Sequence, residues 1–366
     1  MRYVDEYRNV EIIRILEEKI KGYNGEPLTF MEVCGTHTMA LSSFGLRELL
    51  PENIRLISGP GCPVCVTSNA DIDKIIEYSA LKDVIIATFG DMLKVPGTRS
   101  SLSKERAKGA NVRVVYFIFD ALKIAEENPE KKVVFVSVGF ETTVPGIAYG
   151  IKEAKKRALK NFFVFCSNKT VPKALEALIT LGEIKINGFI LPGHVSTIIG
   201  VKPYEVIPKK YGIGGVIAGF EATDILWGIW MLLNQFENQS LKIEIQYKRV
   251  VRPEGNQEAQ SLIAEVFEET DAEWRGIGII PGTGLKLKED YGEFDIQNHI
   301  NVDVSYSKEP EGCSCGEILR GVKYPYQCAL FKRICTPENP VGPCMVSSEG
   351  SCAAYYKYGS VTNLKR

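Results

Sequence analysis

The sequence has little histidine, no surplus of charge of either sign, and no long apolar run. Its 366 residues include only 3 histidines, and 44 lysines and arginines nearly balance 45 aspartates and glutamates. No basic field therefore points to nucleic acid. The longest apolar run, residues 225–233, is far shorter than the ~20 residues that span a membrane. The charged residues 1–6 do not resemble a secretory signal. These absences predict a cytoplasmic protein with neither nucleic-acid nor membrane partners.

Nucleotide-binding loops are absent from the places where a sheet would present them. Neither GxGxxG nor GxxxxGKS/T follows any of the strands predicted below. What the sequence does have is ten cysteines. In a reducing compartment, this many thiols are better explained by metal or redox chemistry than by structural disulfides.

Apolar strands alternate with helical stretches along most of the chain, which predicts the α/β class. We expect an N-terminal helix packing on the body over residues 1–27, a first α/β domain over 28–127 and a second over 128–241. Residues 242–310 continue the α/β pattern, and their spacing leaves the parent domain open. Strands in both domains break into short polar turns with threonines. This shared pattern indicates two similar parallel-sheet (Rossmann-like) domains facing a cleft.

Polar residues stand at the ends of the predicted strands, where open α/β sheets bind ligands. Cys34 follows the strand at residues 28–33, and His37 lies three residues further on. A lone histidine is usually a satisfied core or surface residue, but beside a cysteine it is equally a candidate metal ligand or proton carrier. Later turns carry Glu141 and His194. Two similar domains would place these strand ends across one cleft.

The Cys62-x-x-Cys65 pair lies in a strand-to-helix turn. Residues 54–57 predict a short buried strand, a Gly-Pro-Gly turn ends it, and Thr67 or Ser68 can cap the following helix. The partial positive charge of that helix start should lower thiol pKa values and favour the thiolate. Two small core residues are the alternative. A pair at this spacing in a Gly/Pro turn instead favours disulfide exchange or metal binding.

Residues 311–366 change character, because they hold six of the ten cysteines and no histidine. Six thiols in a turn-rich segment can form three disulfides, bind zinc, or hold an iron-sulfur cluster. A reducing compartment disfavours disulfides. Structural zinc usually shows tight Cys-x-x-Cys pairs, which this segment lacks, so its wide spacing favours a cluster. We therefore expect a small, loop- and helix-rich C-terminal iron-sulfur domain.

Five segments together resemble the HypD family of hydrogenase maturation factors. They are FMEVCGTHT at residues 30–38, GPGCPVC at 59–65, GFETT at 139–143, LPGHVS at 191–196 and PCMVSSEG at 343–350. The resemblance implies a scaffold that, with HypC, holds an iron ion while cyanide and carbon monoxide are attached. HypE would be the cyanide donor. The finished Fe(CN)2CO iron would then pass to the large subunit of a NiFe hydrogenase.

The resemblance also implies roles for individual residues. Cys34 would be the thiolate that binds the iron being assembled, and Cys62 and Cys65 would be the redox-active pair. The side chains lining the cleft would be His37, Glu141, Thr142 and His194. A 4Fe-4S cluster would lie in the C-terminal segment.

The ligands of that cluster would be four of five cysteines. Cys313, Cys328 and Cys335 are the first three candidates, and Cys344 and Cys352 compete for the fourth place. Cys315 is instead assigned as a free or disulfide-bonded thiol, since two cysteines one residue apart rarely both reach one small cluster without strain.

Electron transfer connects these groups in the mechanism that we expect. Electrons would pass from the cluster through the remaining C-terminal thiols to Cys62 and Cys65, and so to iron on Cys34. The protein would then be an assembly scaffold with redox activity rather than an independent enzyme. Two other interpretations stay open: a cluster-dependent thiol-disulfide oxidoreductase that acts on a protein partner, and a zinc-stabilised small-molecule enzyme.

Overall fold

The computed structural model describes residues 5–359. Residues 1–4 and 360–366 lie outside the described part, and with them most of the segment compared above with a secretory signal. Within residues 5–359, no helix is both long and apolar enough to cross a bilayer.

Strands form two parallel sheets and one antiparallel hairpin in the described residues. In chain order the strands are β1 Leu28–Glu32, β2 Ile54–Ser58, β3 Val84–Thr88, β4 Val112–Val114, β5 Lys132–Ser137, β6 Phe162–Cys166, β7 Gly188–Pro192, β8 Gly214–Ala218, β9 Ile243–Ile245, β10 Phe267–Trp274 and β11 Gly278–Leu287.

Helices cover both faces of the parallel sheets. The α-helices are α1 Val10–Lys21, α2 Gly35–Ser43, α3 Pro63–Val66, α4 Asn69–Ser79, α5 Leu102–Ala107, α6 Ile118–Glu127, α7 Val144–Lys156, α8 Val171–Leu181, α9 Gly193–Ile199, α10 Ala222–Glu237, α11 Gln257–Val266, α12 Cys315–Leu319 and α13 Ser351–Tyr358. Short 3-10 turns are Asp5–Arg8, Leu46–Leu49, Gly90–Lys94, Lys202–Tyr204, Glu289–Phe294, Ile296–Asn298, Pro325–Gln327 and Pro343–Met345, and a π-helical turn is Ile207–Tyr211. The Asn9 side chain caps α1, which packs against α10 through Leu16 and Ile20.

The first sheet has five parallel strands in the order β2-β1-β7-β8-β9. Its inner strands are short apolar runs buried on both faces, as helices on both sides require. Because successive side chains of a strand point to opposite faces, neighbouring residues enter different cores. Phe30 and Val216 pack with α1 and α10, whereas Met31 and Ile217 pack in the core that also contains the C-terminal cysteines.

The second sheet has four parallel strands in the order β4-β3-β5-β6. Alternation again divides its residues between two cores. Ile85 and Phe135 face α6 and α7, and Ile86 and Val136 face the core that α4 contributes to. The prediction of an α/β protein with two parallel sheets is confirmed.

The two sheets do not follow the predicted domain ranges. β1 and β2 fall within residues 28–127, yet they belong to the sheet completed by β7, β8 and β9. β3 and β4 fall in the same range, yet they pair with β5 and β6 of the range 128–241. The chain thus forms β1 and β2 of the first sheet, then all four strands of the second sheet, and then β7, β8 and β9 of the first sheet. A crossover to another sheet leaves no mark on strand spacing, so the sequence pattern could not show it.

Residues 242–310, whose parent domain the sequence left open, are shared between the sheets. β9 is the edge strand of the first sheet. The β10–β11 hairpin and the turn after it pack on the second sheet, where Phe267 and Phe294 join the core around Phe135.

Residues 311–359 are loop-rich and carry α12 and α13, as expected, but they do not form a separate core. Ile318, Phe331 and the cysteines share the core of Met31 and Phe189 in the first sheet. α13 packs on α2, and the turn Pro343–Met345 packs on α3. The C-terminal segment therefore covers one face of the first sheet. The cluster expected in it stays a prediction.

Candidate functional site

Cys34 lies between β1 and α2, at the carboxyl end of an inner strand of the first sheet. It is buried, and its backbone N–H donates to Glu32 Oε2 at 3.2 Å. The turn after β2 rests directly on it, because a Cβ built on Gly61 would come within 2.4 Å of Cys34 Cα. The Gly35 N–H also donates to the Gly61 carbonyl at 2.9 Å. The turn that carries Cys62 is thus fixed against Cys34 by backbone contact.

The surroundings of Cys34 disfavour a free thiolate. Burial raises the pKa of the Cys34 thiol to about 12, and the Glu349 carboxylate adds to the shift. Backbone N–H groups of His37 and Thr36 oppose it but do not overcome it. A coordinating metal deprotonates such a thiol outright. Cys34 is therefore protonated at neutral pH unless a cation binds.

Two carboxyl groups that sequence reasoning did not single out stand beside Cys34. Burial raises the pKa of Glu32 to about 7, and Arg47 at 3.8 Å only partly offsets it. Glu349 comes from the C-terminal segment, accepts a hydrogen bond from Thr36 Oγ1 at 2.6 Å, and packs on Gly35. Both lie inside the motifs quoted above, so membership in those motifs was the available signal.

The two histidines lie on either side of one aromatic ring. The Phe220 ring centroid is 4.7 Å from that of His37 and 3.9 Å from that of His194. His37 is fully buried and its Nε2 lies 2.9 Å from the Gly219 carbonyl oxygen. A carbonyl only accepts, so Nε2 carries the proton and Nδ1, which has no partner, keeps a free lone pair. Burial lowers the pKa of His37 to about 4, so the ring is neutral. His194 is exposed.

The second sheet contributes Glu141, which follows β5. Its Oε1 accepts the backbone N–H of Val171 at 2.9 Å, whereas Oε2 has no partner. Burial raises its pKa to about 7. Burial also raises the pKa of Tyr204, and the charges of Glu141 and Cys34 both act on this phenol. Glu141 and Cys34 therefore both lie within electrostatic range of Tyr204, a residue that no sequence signal indicated. Thr142 is exposed.

The Cys62-x-x-Cys65 pair occupies α3. Cys62 caps this short helix, and the N–H of Cys65 donates to Cys62 Sγ at 3.3 Å. Ser68 caps the next helix, α4, as predicted. The expected lowering of thiol pKa is not found at Cys65: burial raises its pKa, and contacts with the Cys344 and Cys62 thiols raise it further. Both cysteines are buried.

A second thiol pair continues from Cys65 into the C-terminal segment. The Cys315 thiol donates to Cys344 Sγ at 2.8 Å. Hydrogen bonds from the Cys315 and Cys65 thiols lower the pKa of Cys344. Of Cys65, Cys315 and Cys344, Cys344 is the one whose pKa is lowered, which favours its thiolate. Cys313 and Cys315 both lie against Gly342, because a Cβ there would come within 3.5 Å of both sulfurs.

All six C-terminal cysteines line one small cavity, among Ile318, Leu330, Phe331 and Met345. Cys315, Cys313, Cys335 and Cys328 all lie within electrostatic range of Cys352. None of the ten cysteines, all within residues 5–359, forms a disulfide. No three His, Cys, Asp or Glu side chains of that range converge on a point as a single ion requires. In a cluster each thiolate binds a different iron, so thiols around an apolar cavity fit a cluster by donor chemistry.

Residues 11–359 match a family model described as "HypD: Hydrogenase formation hypA family". The hydrogenase maturation factor HypD of Escherichia coli is 45% identical over 366 residues, which cover 98% of each chain. HypD of Cupriavidus necator is 42% identical over 369 residues, 98% of this chain and 97% of that protein. A putative hydrogenase expression/formation protein of Methanocaldococcus jannaschii is 44% identical over 349 residues, 95% of this chain and 96% of that protein.

Proposed function

The chain belongs to the HypD family of hydrogenase maturation factors, and from this premise we propose that it holds iron on Cys34 during Fe(CN)2CO assembly. HypC is the proposed scaffold partner, HypE the cyanide donor, and the hydrogenase large subunit the final acceptor. The observation that carries the proposal is one loop with two contacts. The turn before Cys62 rests on Cys34 through Gly61, and the Cys65 thiol donates to the Pro343 carbonyl at 3.9 Å, next to Cys344 of the thiol-lined cavity.

The Cys34 site suits iron with strong-field ligands, because a thiolate is a soft donor and the site excludes water. Iron binding would displace the thiol proton, whose pKa is about 12, so loading should release a proton and strengthen with rising pH. His37 Nδ1 keeps a lone pair aimed into buried space. It is available as a second donor or as a hydrogen-bond acceptor.

Cyanide delivered as a thiocyanate on a partner's thiol must be released by reduction. R–S–CN takes up two electrons and one proton to give R–SH and CN⁻. The Cys62–Cys65 dithiol supplies two electrons and two protons as it becomes a disulfide, so one proton is left over. The buried pair transfers both electrons without forming a free radical.

The second thiol pair restores the first by disulfide exchange. The Cys344 thiolate attacks the oxidised pair at Cys65, which releases the Cys62 thiolate and forms a mixed disulfide. Cys315 then attacks Cys344, leaving a Cys315–Cys344 disulfide and a Cys62–Cys65 dithiol. The lowered pKa of Cys344 supports its role as nucleophile, since the thiolate is the attacking form.

We assign Cys313, Cys328, Cys335 and Cys352 as the residues that would hold a 4Fe-4S cluster. Cys352 is preferred to Cys344 because Cys344 hydrogen-bonds with Cys315, whereas Cys313, Cys328 and Cys335, together with Cys315, lie within electrostatic range of Cys352. When bound, such a cluster supplies electrons one at a time. Ten free thiols also favour a cytoplasmic location, where disulfides are rare.

The decisive experiment replaces Cys62 and Cys65 together by serine. The anaerobically purified complex of this variant with HypC should lack the infrared CN and CO bands of the wild-type complex, while the visible absorbance of the cluster persists. Cys166→Ser is the matched control, because Cys166 ends β6 in the other sheet. Normal CN and CO bands in the double variant would refute the redox role.

A thiol-disulfide oxidoreductase acting on a protein partner is the second candidate. The series of thiols Cys62, Cys65, Cys344 and Cys315 can exchange disulfides without iron on Cys34. Cys62 and Cys65 are both buried, and a partner's sulfur must reach them in either function, so burial does not decide between the two. Cys34→Ser separates the two functions. Unchanged dithiol-driven reduction of a partner by this variant would favour the oxidoreductase.

A further inference from the structure

The turn of the β10–β11 hairpin lies between the two thiol pairs. On one side, the Arg275 N–H donates to the Val66 carbonyl at 2.9 Å, next to Cys65. On the other side, a Cβ on Gly276 would come within 2.1 Å of Gly316 Cα, next to Cys315. Gly276 has a φ of +70°, which favours glycine as well. The turn is therefore in backbone contact with both redox segments.

Arg275, at the centre of this turn, is one of the largest fully buried side chains of the protein. Its Nε donates to the Thr67 carbonyl at 3.0 Å and its Nη2 to Asn69 Oδ1 at 2.7 Å. Nη1 has no hydrogen-bond partner. The nearest carboxylate, Glu309, is 3.9 Å away and half exposed. An arginine does not lose its proton in a protein, so the positive charge is permanent and only weakly compensated.

This charge lies beside the segment that carries Cys313 and Cys315. The residue after Arg275, Gly276, packs on Gly316, which directly follows Cys315. Cys313 is one of the residues assigned above to the cluster, and Cys315 belongs to the second thiol pair. The guanidinium thus lies within electrostatic reach of the groups that must take up negative charge.

We propose that Arg275 is a positioning residue whose buried charge stabilises the reduced state of a cluster held by Cys313. The inference rests on the proposed function, since it takes the cluster as bound. Reduction adds one electron and no proton, so the cluster becomes more negative by one unit. A fixed cation nearby lowers the energy of that state, and more so where water does not screen it. The electron comes from a one-electron reductant outside the chain.

Two substitutions separate charge from hydrogen bonding. Arg275→Gln keeps a donor and removes the charge, whereas Arg275→Lys keeps the charge and loses the planar fork. At a fixed solution potential, Arg275→Gln should lower the ratio of reduced to oxidised cluster about tenfold, about 59 mV for a one-electron couple. Arg275→Lys should keep the wild-type ratio within about threefold. The readout is a redox titration followed by visible absorbance and electron paramagnetic resonance.

Arg320→Gln is the matched control. Arg320 donates to the Gly276 carbonyl of the same turn, but it pairs with Glu183 at the surface. This variant loses a contact to the turn without removing a buried charge, so its ratio should stay at the wild-type value. Equal shifts in Arg275→Gln, Arg275→Lys and Arg320→Gln would show a structural role and overturn the proposal. An unchanged ratio in Arg275→Gln would overturn it as well.

Glu309→Gln tests the same charge without touching Arg275, should Arg275→Gln fail to accumulate. Removing the half-exposed carboxylate leaves the guanidinium less compensated, so the ratio of reduced to oxidised cluster should rise about twofold. An unchanged or lower ratio contradicts the charge argument. A wild-type protein without iron-sulfur absorbance would instead remove the cluster itself, which is a failure of the proposed function and not of the role of Arg275 alone.

Discussion

Glu141 is a carboxyl group placed where water does not reach it. One oxygen accepts a backbone N–H and the other has no partner, so its charged form is poorly solvated. Burial raises its pKa to about 7 from an ordinary 4.5. The folded protein therefore binds this proton more tightly than the unfolded chain does.

This difference predicts a pH dependence of stability that Glu141→Gln removes. A raised folded-state pKa gives stability that is complete below pH 4.5 and is lost as pH rises through about 7. A shift of about 2.5 units (7 minus 4.5) corresponds to about 3 kcal/mol over that interval. Urea unfolding of wild type and Glu141→Gln from pH 5 to 8 measures the difference in slope.

Glu311→Gln serves as the control for this measurement, because Glu311 is almost fully exposed and should leave the slope unchanged. If Glu141→Gln retains the wild-type pH dependence, the carboxyl group is not the source of it.

The choice between Cys344 and Cys352 gives a second prediction at the scale of single residues. Cys352→Ala should leave fewer than four iron atoms per chain, because Cys352 is the proposed fourth cluster ligand and lies within electrostatic range of Cys313, Cys328 and Cys335. Cys344→Ala should keep the iron, because Cys344 pairs with Cys315 instead. Iron analysis of anaerobic preparations decides, with Cys166→Ala as the reference. Loss of iron in Cys344→Ala with full iron in Cys352→Ala would reverse the assignment.

Sequence reasoning found the thiols of this site more readily than their electrostatic partners. Cys34, Cys62 and Cys65 lie in predicted turns, where a cysteine is seldom only a packing residue of the core. The structure brings the segments that carry them together. Arg275 and Tyr204 were missed because each looks like an ordinary member of its segment. Only the packing of segments far apart in the chain makes them neighbours of the cysteines.

The turn between β2 and α3 is the element that holds the thiol pair against Cys34. Gly61→Ala should destabilise the protein by about 3 kcal/mol, because the new Cβ would come within 2.6 Å of three backbone atoms of Cys34, none of which can rotate away. Thermal unfolding followed by circular dichroism measures the loss.

Gly146→Ala in α7 is the matched control for that substitution. Its Cβ would meet nothing within 4 Å, so alanine should stabilise the helix by about 0.5–1 kcal/mol. A Gly61→Ala protein as stable as wild type would mean that the turn does not rest on Cys34.

Apolar strands could be predicted from the sequence, whereas polar strands could not. β5 and β7 are nearly continuous apolar runs because both their faces are buried. β10 has no apolar pattern that predicts a strand, because residues 267–274 read FEETDAEW, with exposed acidic residues between the buried ends, and it pairs with β11 in a two-stranded hairpin. Residues 112–119 have the apolar pattern of one strand, but β4 ends at Val114 and α6 begins at Ile118. Tyr116 and Phe117 are exposed, although in the sequence they extend the apolar run typical of a buried strand.

At the scale of the molecule, the C-terminal segment and the first sheet share one core. Residues from β1, from the β10–β11 hairpin and from the cysteine-rich segment all belong to it, as Met31, Trp274 and Cys352 show. Glu349 also accepts a hydrogen bond from Thr36 at the start of α2. Loss of the proposed cluster from the cavity should therefore loosen distant parts of the chain.

Removal of iron by a chelator under anaerobic conditions tests this coupling. Hydrogen exchange should speed up in residues 311–359 and also in α2 and α3, which pack on the C-terminal segment. Amides of β3 and β5 in the second sheet should keep their protection and serve as the internal reference. Faster exchange confined to residues 311–359 would contradict the shared core.

The order of strands in the first sheet has a consequence for synthesis of the chain. β1 has β2 on one side and β7 on the other, and 134 residues (192 minus 58) separate the end of β2 from the end of β7. At a synthesis rate of about 5–20 residues per second, the edge of β1 waits roughly 7–27 s for its second neighbour. The contiguous second sheet can be complete before that. Cys34, Cys62 and Cys65 thus emerge long before the residues that bury them, and the cell must keep these three thiols reduced and metal-free during that interval.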